Sequence, residues 1–272
     1  FRNNFFGVGN NTTNLEERQD VDFYRFSRKK FSVETGIGKQ FWKKSSLDFL
    51  VGYETSSFDD PGNSILSENT SLLGANINLG EIPVKARAVI DFRDQSGFPY
   101  NGILWLLDYR LGTIVDGVPK ATTYGIAASS IEYYISTKHQ NPITLGVRFG
   151  GAVSHGDVPF YHLPNIGGAS GLRGFIGERF TGESSLYFNS EIRWQLFHRY
   201  TSFVPIKFGL KAFYDTGRVF SDFDDANSSK WHAGYGAGIF IVPMNEAVSI
   251  SLQVGFSEEE SFYPVISFGK AL

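Results

Sequence analysis

Along most of the chain, apolar and polar residues alternate with a period of two. In 206–214, Ile206, Phe208, Leu210, Ala212 and Tyr214 share one face; Lys207, Gly209, Lys211 and Phe213 share the other, which Asp215 continues. The same split separates Ile143, Leu145, Val147 and Phe149 from Thr144, Gly146, Arg148 and Gly150. It sets Tyr235, Ala237, Ile239 and Ile241 against His232, Gly234, Gly236 and Gly238, and Val248 through Phe256 against Ser249, Ser251, Gln253 and Gly255. No stretch sustains a 3.6-residue period, so the chain reads as all-β.

Alternation alone leaves two solvents open, because a soluble sandwich produces the same pattern. Three features point to a bilayer. The strands run to about 10 residues or more, the length a tilted strand needs to cross. Aromatics gather near strand ends, at Phe41-Trp42, Tyr133-Tyr134, 197–200 and Phe262-Tyr263, as in interfacial girdles. Short and long connections also alternate. The longest apolar runs, 103–107 and 239–242, are far too short for a spanning helix. The expected fold is a closed antiparallel transmembrane β-barrel of about twelve strands: 1–10, 21–41, 46–57, 70–94, 102–115, 121–137, 142–154, 184–197, 204–220, 231–243, 246–257 and 261–269. Keeping 70–94 whole, with a bulge at Gly80 to Pro83, puts the long loops 11–20, 58–69, 155–183 and 221–230 on one, extracellular, side. Both termini are then periplasmic, and residues 1–272 form a single domain.

Composition fits this picture. Hydrophobic residues are 42% and charged residues 19% of 272, the latter below the ~25% of soluble domains. The absence of cysteine excludes disulfides, thiolate metal sites and a cysteine nucleophile. A net charge of -3 gives no pull toward nucleic acid. The chain opens on Phe1 without a signal-peptide pattern and reads as a processed product. Catalysis finds no support. The histidines at 139, 155, 162, 198 and 232 lack ligand spacing, and His155, His162 and Asp157 read as loop residues rather than a metal site. Gly168 to Gly171 lacks the spacing of a nucleophile elbow. Asp59, Asp60, Asp222, Asp224 and Asp225 read as solvated loop charge, and Glu258 to Glu260 as a solvated hairpin. No cofactor, no metal and no enzymatic activity are expected.

The segment 155–183 is the longest interruption. It contains Gly167-Gly168 and then Leu172-Arg173-Gly174-Phe175, five strands before the C-terminus. Asp91-Phe92-Arg93-Asp94, followed by Pro99 and Gly102, lies three strands earlier, and Phe213-Tyr214-Asp215-Thr216-Gly217 follows. In these segments the chain resembles the BamA/TamA superfamily of outer-membrane barrels, the bacterial surface-antigen family. Its opening 4–10 is similar to surface-antigen barrels fused to metallophosphoesterases. The resemblance implies that loop 155–183 folds into the lumen and that Arg173 pairs there with acids of the inner wall, Glu191 and Asp215. Strand parity independently points both carboxylates inward, and the planar guanidinium fork suits two acids at once.

The resemblance also implies residence in the bacterial outer membrane, with insertion or translocation of polypeptide through the seam between first and last strands. That seam joins Phe5, Gly7 and Gly9 to Ile266 and Phe268, where a glycine-rich strand packs weakly. Family barrels usually have sixteen strands against the twelve read here. A structural anchor or accessory barrel for a partner domain, and a narrow passive pore, are the competing readings. The expected partners are the lipid bilayer, lipopolysaccharide or detergent on the outer wall, and other outer-membrane or periplasmic proteins, with no nucleic acid.

Overall fold

The computed structural model describes residues 2–12, 21–42, 44–59, 64–65, 78–118, 120–168, 171–199, 206–221, 228–243, 249–259 and 261–268. Twelve strands form one antiparallel sheet: β1 (Arg2–Asn4), β2 (Arg25–Gln40), β3 (Ser46–Asp59), β4 (Asn78–Asp91), β5 (Gly102–Asp116), β6 (Thr122–Ser136), β7 (Ile143–Gly156), β10 (Ser184–Arg199), β11 (Ile206–Phe220), β12 (His232–Pro243), β13 (Ile250–Ser257) and β14 (Tyr263–Phe268), each beside its neighbour in chain order. A separate two-stranded pair, β8 (Asn165–Ile166) and β9 (Phe180–Thr181), lies within loop 157–183. The stretch 70–94 contributes one strand. Gly80 faces Asp116 and Glu81 faces Ile114, so the extra residue of the irregularity, Val115, sits in β5.

The alternation becomes an outer and an inner wall. Trp105, Tyr109, Ile131, Phe149, Ile192, Trp194, Leu210, Tyr214 and Tyr235 are large, apolar and exposed on the outside. A contiguous apolar surface of this extent is the mark of a lipid-facing wall. Inside, Glu54, Glu81, Asp91, Arg148, Glu191, Arg193, Lys211, Asp215 and His232 are buried. The interior is therefore polar and ion-paired, the inverse of a soluble core.

The edges differ from a closed barrel. Among the described residues no ladder joins β14 to β1 or β2. β1 is three residues long and pairs only with the first residues of β2, Arg25 to Ser27, at the loop end of the sheet. β1 runs toward the loop end, finishing at Asn4 opposite Arg25. Past that short pairing, β2 is exposed on both faces from Lys29 to Gln40.

Phe5, Gly7 and Gly9, expected in a seam strand, lie outside any strand. Phe5 is buried in an aromatic cluster with Phe26, Phe58 and Phe160, and Phe6 in another with Phe23 and Tyr24. Two adjacent aromatics that are both buried cannot alternate across a sheet. Gly7 and Gly9 take φ of 95° and 113°, left-handed conformations that end strand geometry. On the other side, Ile266 lies in β14 and is exposed; Phe268 ends that strand, and its side chain is outside the described residues.

Candidate functional site: a loop latched inside the sheet

Loop 157–183 descends from the loop end between the walls, and two groups of contacts hold it. The first centres on Arg173. Its Nε and Nη2 donate to the two oxygens of Asp215 at 2.8 and 2.7 Å, and Nη1 donates to Glu191 Oε2 at 2.8 Å. The backbone N–H of Arg173 also donates to Asp215 Oδ2 at 2.9 Å. Lys211 Nζ reaches Glu191 at 3.0 Å, and the Phe213 ring underlies the guanidinium at 4.1 Å. β10 and β11 present these acids because residues 189, 191, 193 and 211, 213, 215 share inward parity. Charge-assisted, forked bonds of this kind fix geometry more than they add net stability.

The rest of the motif seats the backbone. Leu172 and Phe175 are buried with Ile166, Phe180 and Val219. Gly174 has φ 96° and lies so close to β13 that a Cβ there would meet the Phe256 carbonyl oxygen at 2.7 Å. From the wall side, a Cβ on Gly234 would sit 1.9 Å from the Arg173 carbonyl oxygen. Gly167 and Gly168 are also left-handed, with φ 134° and 74°.

A second group holds the loop against β3–β6. His162 Nε2 lies 3.1 Å from Glu81 Oε1. Tyr124 donates its hydroxyl to Glu81 Oε2 at 2.6 Å, and Arg110 pairs with Glu81. Glu54 accepts from Arg28 at 2.8 Å, Lys30 at 2.8 Å and Arg110 at 3.4 Å. Ligand atoms of Glu54, Glu81 and His162 come within 4.8 Å of one another, but three cations already neutralise the two carboxylates, so the cluster is an ion-pair network. Burial, reinforced by the nearby Arg110, holds the His162 imidazole below its ordinary value although Glu81 pulls the other way. Burial thus favours the neutral ring, whose Nε2 also lies 3.3 Å from Arg110 Nη2.

The turn end is closed from below. In Asp91-Phe92-Arg93-Asp94, Asp91 grips the Arg93 guanidinium at 2.9 Å through both oxygens. Asp94 accepts backbone N–H groups from Gln95, Tyr100 and Asn101. This fold-back carries Phe98 inward against Phe240 and Val242. Arg193 stacks on the Phe98 ring at 4.3 Å and donates to the Pro99 carbonyl at 2.5 Å.

The Omp85 superfamily domain matches residues 2–256. The chain belongs to the Omp85 superfamily. Among solved structures, BamA from Haemophilus ducreyi lacking POTRA domains 1-3 is similar, with a TM-score of 0.66 at 14% identity. The match covers 90% of this chain and 55% of that one, so this Omp85 chain spans about half the length of the structure it resembles. A comparison with curated proteins finds no match.

The structure of this Omp85 chain brings Arg173, Glu191 and Asp215 together and places Gly167, Gly168, Leu172, Gly174 and Phe175 in one buried turn system. Two features lay beyond the sequence reading. Of the expected solvated hairpin, Glu258 is exposed but lies 2.8 Å from His232 Nδ1, Glu259 instead forks onto the buried Arg179, and Glu260 lies outside the described residues. His162 does not meet His155 or Asp157 but crosses to Glu81, while His155 stacks beside Tyr109. Of the acidic loop positions, Asp60, Asp222, Asp224 and Asp225 lie outside the described residues.

Proposed function

We propose that the protein inserts or translocates polypeptide at the bacterial outer membrane, working at the seam beside its last strand rather than through its lumen. One observation carries this reading. The space inside the sheet is filled: loop 157–183 is bound to the wall through Arg173 and His162, and Phe98 packs below against Phe240 and Val242. Phe31, Val33 and Ile37 of β2 stand exposed on the sheet. A free edge is a template for an incoming strand, whose main-chain groups supply hydrogen bonds without sequence restriction. In hydrocarbon such an edge demands a partner, because unpaired backbone groups there cost several kcal/mol each. No group in the chain has a catalytic role in this reading.

The test uses the purified protein in lipid vesicles with an unfolded outer-membrane barrel as client. Photo-crosslinking residues replace Val33, Ile37 and Ile266. Faster client folding, with crosslinks from Val33 and Ile37 to the client, is the expected result. The chain has no cysteine, so a disulfide engineered between β2 and β14 locks the seam cleanly; that lock should abolish the acceleration. Full activity in the locked form excludes edge opening, and no acceleration with crosslinks only to lipid overturns the proposal.

A structural anchor is the second reading, favoured by the lumen contents. Loop 157–183 is fixed to two separate parts of the wall, and Phe98 fills the space below. The same filling argues against a passive pore, so planar-bilayer recordings should be silent.

A further inference from the structure

Resting on the seam as the working site, we propose that Arg179 is a clasp that holds the two edges of the sheet together at the loop end. Arg179 immediately precedes β9 and is fully buried. Its Nε and Nη2 donate to Glu259 at 2.6 and 2.9 Å, a two-point fork onto the hairpin between β13 and β14. Its remaining donors turn the other way, to Thr12 Oγ1 at 2.5 Å and the Thr12 carbonyl at 3.2 Å. Thr12 belongs to the segment that continues from β1. One guanidinium therefore touches both the N-terminal segment and the last hairpin, between whose strands no ladder is present among the described residues.

The surroundings make the clasp specific. The guanidinium lies 4.9 Å from the ring of Phe6 on the N-terminal flank and 4.7 Å from the ring of its loop neighbour Phe180. Loop residues on either side of Arg179 grip the N-terminal segment. Glu178 accepts the Asn4 backbone N–H at 2.9 Å, Asn4 Nδ2 donates to Gly177, and the Gly9 N–H donates to the Thr181 carbonyl at 2.7 Å. Glu178 adopts φ 59° to make this turn, the one left-handed non-glycine residue described. On the opposite flank Glu258 is tied to His232 and Lys230, which steadies the hairpin that presents Glu259. Arginine suits the position because its five donors can serve two partners in one plane, and lysine cannot reproduce the fork.

Spin labels on cysteines replacing Phe31 and Phe262, both exposed, read the distance across the gap in bilayers. Cysteines replacing Ile37 and Ile266 report the turn end. Wild type should give a narrow distribution at the loop-end pair. Glu259→Gln, which keeps the Thr12 arm and the buried arginine, should raise the wide-to-narrow ratio about tenfold, the loss expected for a charge-assisted bond. Arg179→Gln should widen it as much or more, and Arg179→Lys should recover only part. Adding Glu259→Gln to Arg179→Gln should change nothing further. An unchanged loop-end distribution in Glu259→Gln protein that remains folded overturns the clasp, whatever becomes of Arg179→Gln. Widening without any effect of the wild-type protein on client folding keeps the clasp and sinks the insertion reading instead.

Discussion

Replacing Arg173 with alanine tests the latch most directly, and the expected effect can be worked from its partners. The substitution removes three side-chain bonds of 2.7–2.8 Å to two fully buried carboxylates. Those acids are not left equal. Glu191 keeps Lys211 at 3.0 Å and Arg193 at 3.5 Å. Asp215 keeps only the loop's own backbone N–H among the bonds described above, so it carries most of the penalty. Breaking a buried pair by removing one partner costs about 3–5 kcal/mol, roughly a hundredfold to several thousandfold in the population of released loop. Limited proteolysis of the loop in the reconstituted protein reads this population directly. Asp215→Asn in the Arg173→Ala background should restore part of the loss, since it removes the orphaned charge; the two effects are non-additive because the groups touch. Loop cleavage in Arg173→Ala within about twofold of wild type, a difference under ~0.5 kcal/mol, would show that Leu172, Phe175 and the surrounding contacts hold the loop without the ion cluster.

The glycines on the wall offer a charge-free version of the same test: Gly234→Ala places a Cβ 1.9 Å from the Arg173 carbonyl oxygen and should expose the loop to protease about as strongly as Arg173→Ala. Phe98→Ala empties a buried site against Phe240 and Val242 and should lower stability in urea by about 3–5 kcal/mol, with loop protection unchanged. Acidification should loosen the second anchorage. His162 is held neutral when seated, below its ordinary value, whereas the released ring titrates near 6.5. The seated state therefore binds fewer protons, and its advantage, complete above about pH 6.5, is lost as pH falls through and below that value. Protease sensitivity of the loop should rise from pH 7.5 to pH 5 in the wild type and stay flatter in His162→Gln; a flat wild-type profile refutes a neutral seat.

Much of this was readable from parity. β10 and β11 place Glu191 and Asp215 inward because every second residue around them is inward, while their pairing with Arg173 was what the family resemblance implied. The second anchorage was not readable, because Arg28, Glu54, Glu81 and Arg110 come from four strands and meet only through the register of β2 against β3, β4 and β5. The N-terminal segment misled for a different reason. Phe5, Gly7 and Gly9 alternate like a strand, but there glycine supplies left-handed turns rather than an inward face. The adjacent pair Phe5-Phe6 was the available signal, since a strand would have exposed one of them to the opposite side.

The same residue type thus has two structural meanings in one chain, and the difference decides how the loop and the edge are built. On β12 and β13, Gly234 and Gly255 remain in extended strands and remove side chains where the backbone of Arg173-Gly174 lies against the wall. That thin wall lets the loop dock by main chain as well as by charge. At Gly7 and Gly9 glycine bends the chain away from β2 and into contact with Thr181. The bend follows β1 at the loop end and turns the N-terminal segment toward Arg179. Loop docking and the contact between the two flanks therefore run through one stretch of the loop, 173–181, which is joined through Arg173 to β10 and β11, through Asn4, Gly9 and Thr12 to the N-terminal flank, and through Glu259 to the last hairpin. A change that lifts this stretch should remove the latch and the proposed clasp together, so on that proposal the loop's position sets how far the seam can open.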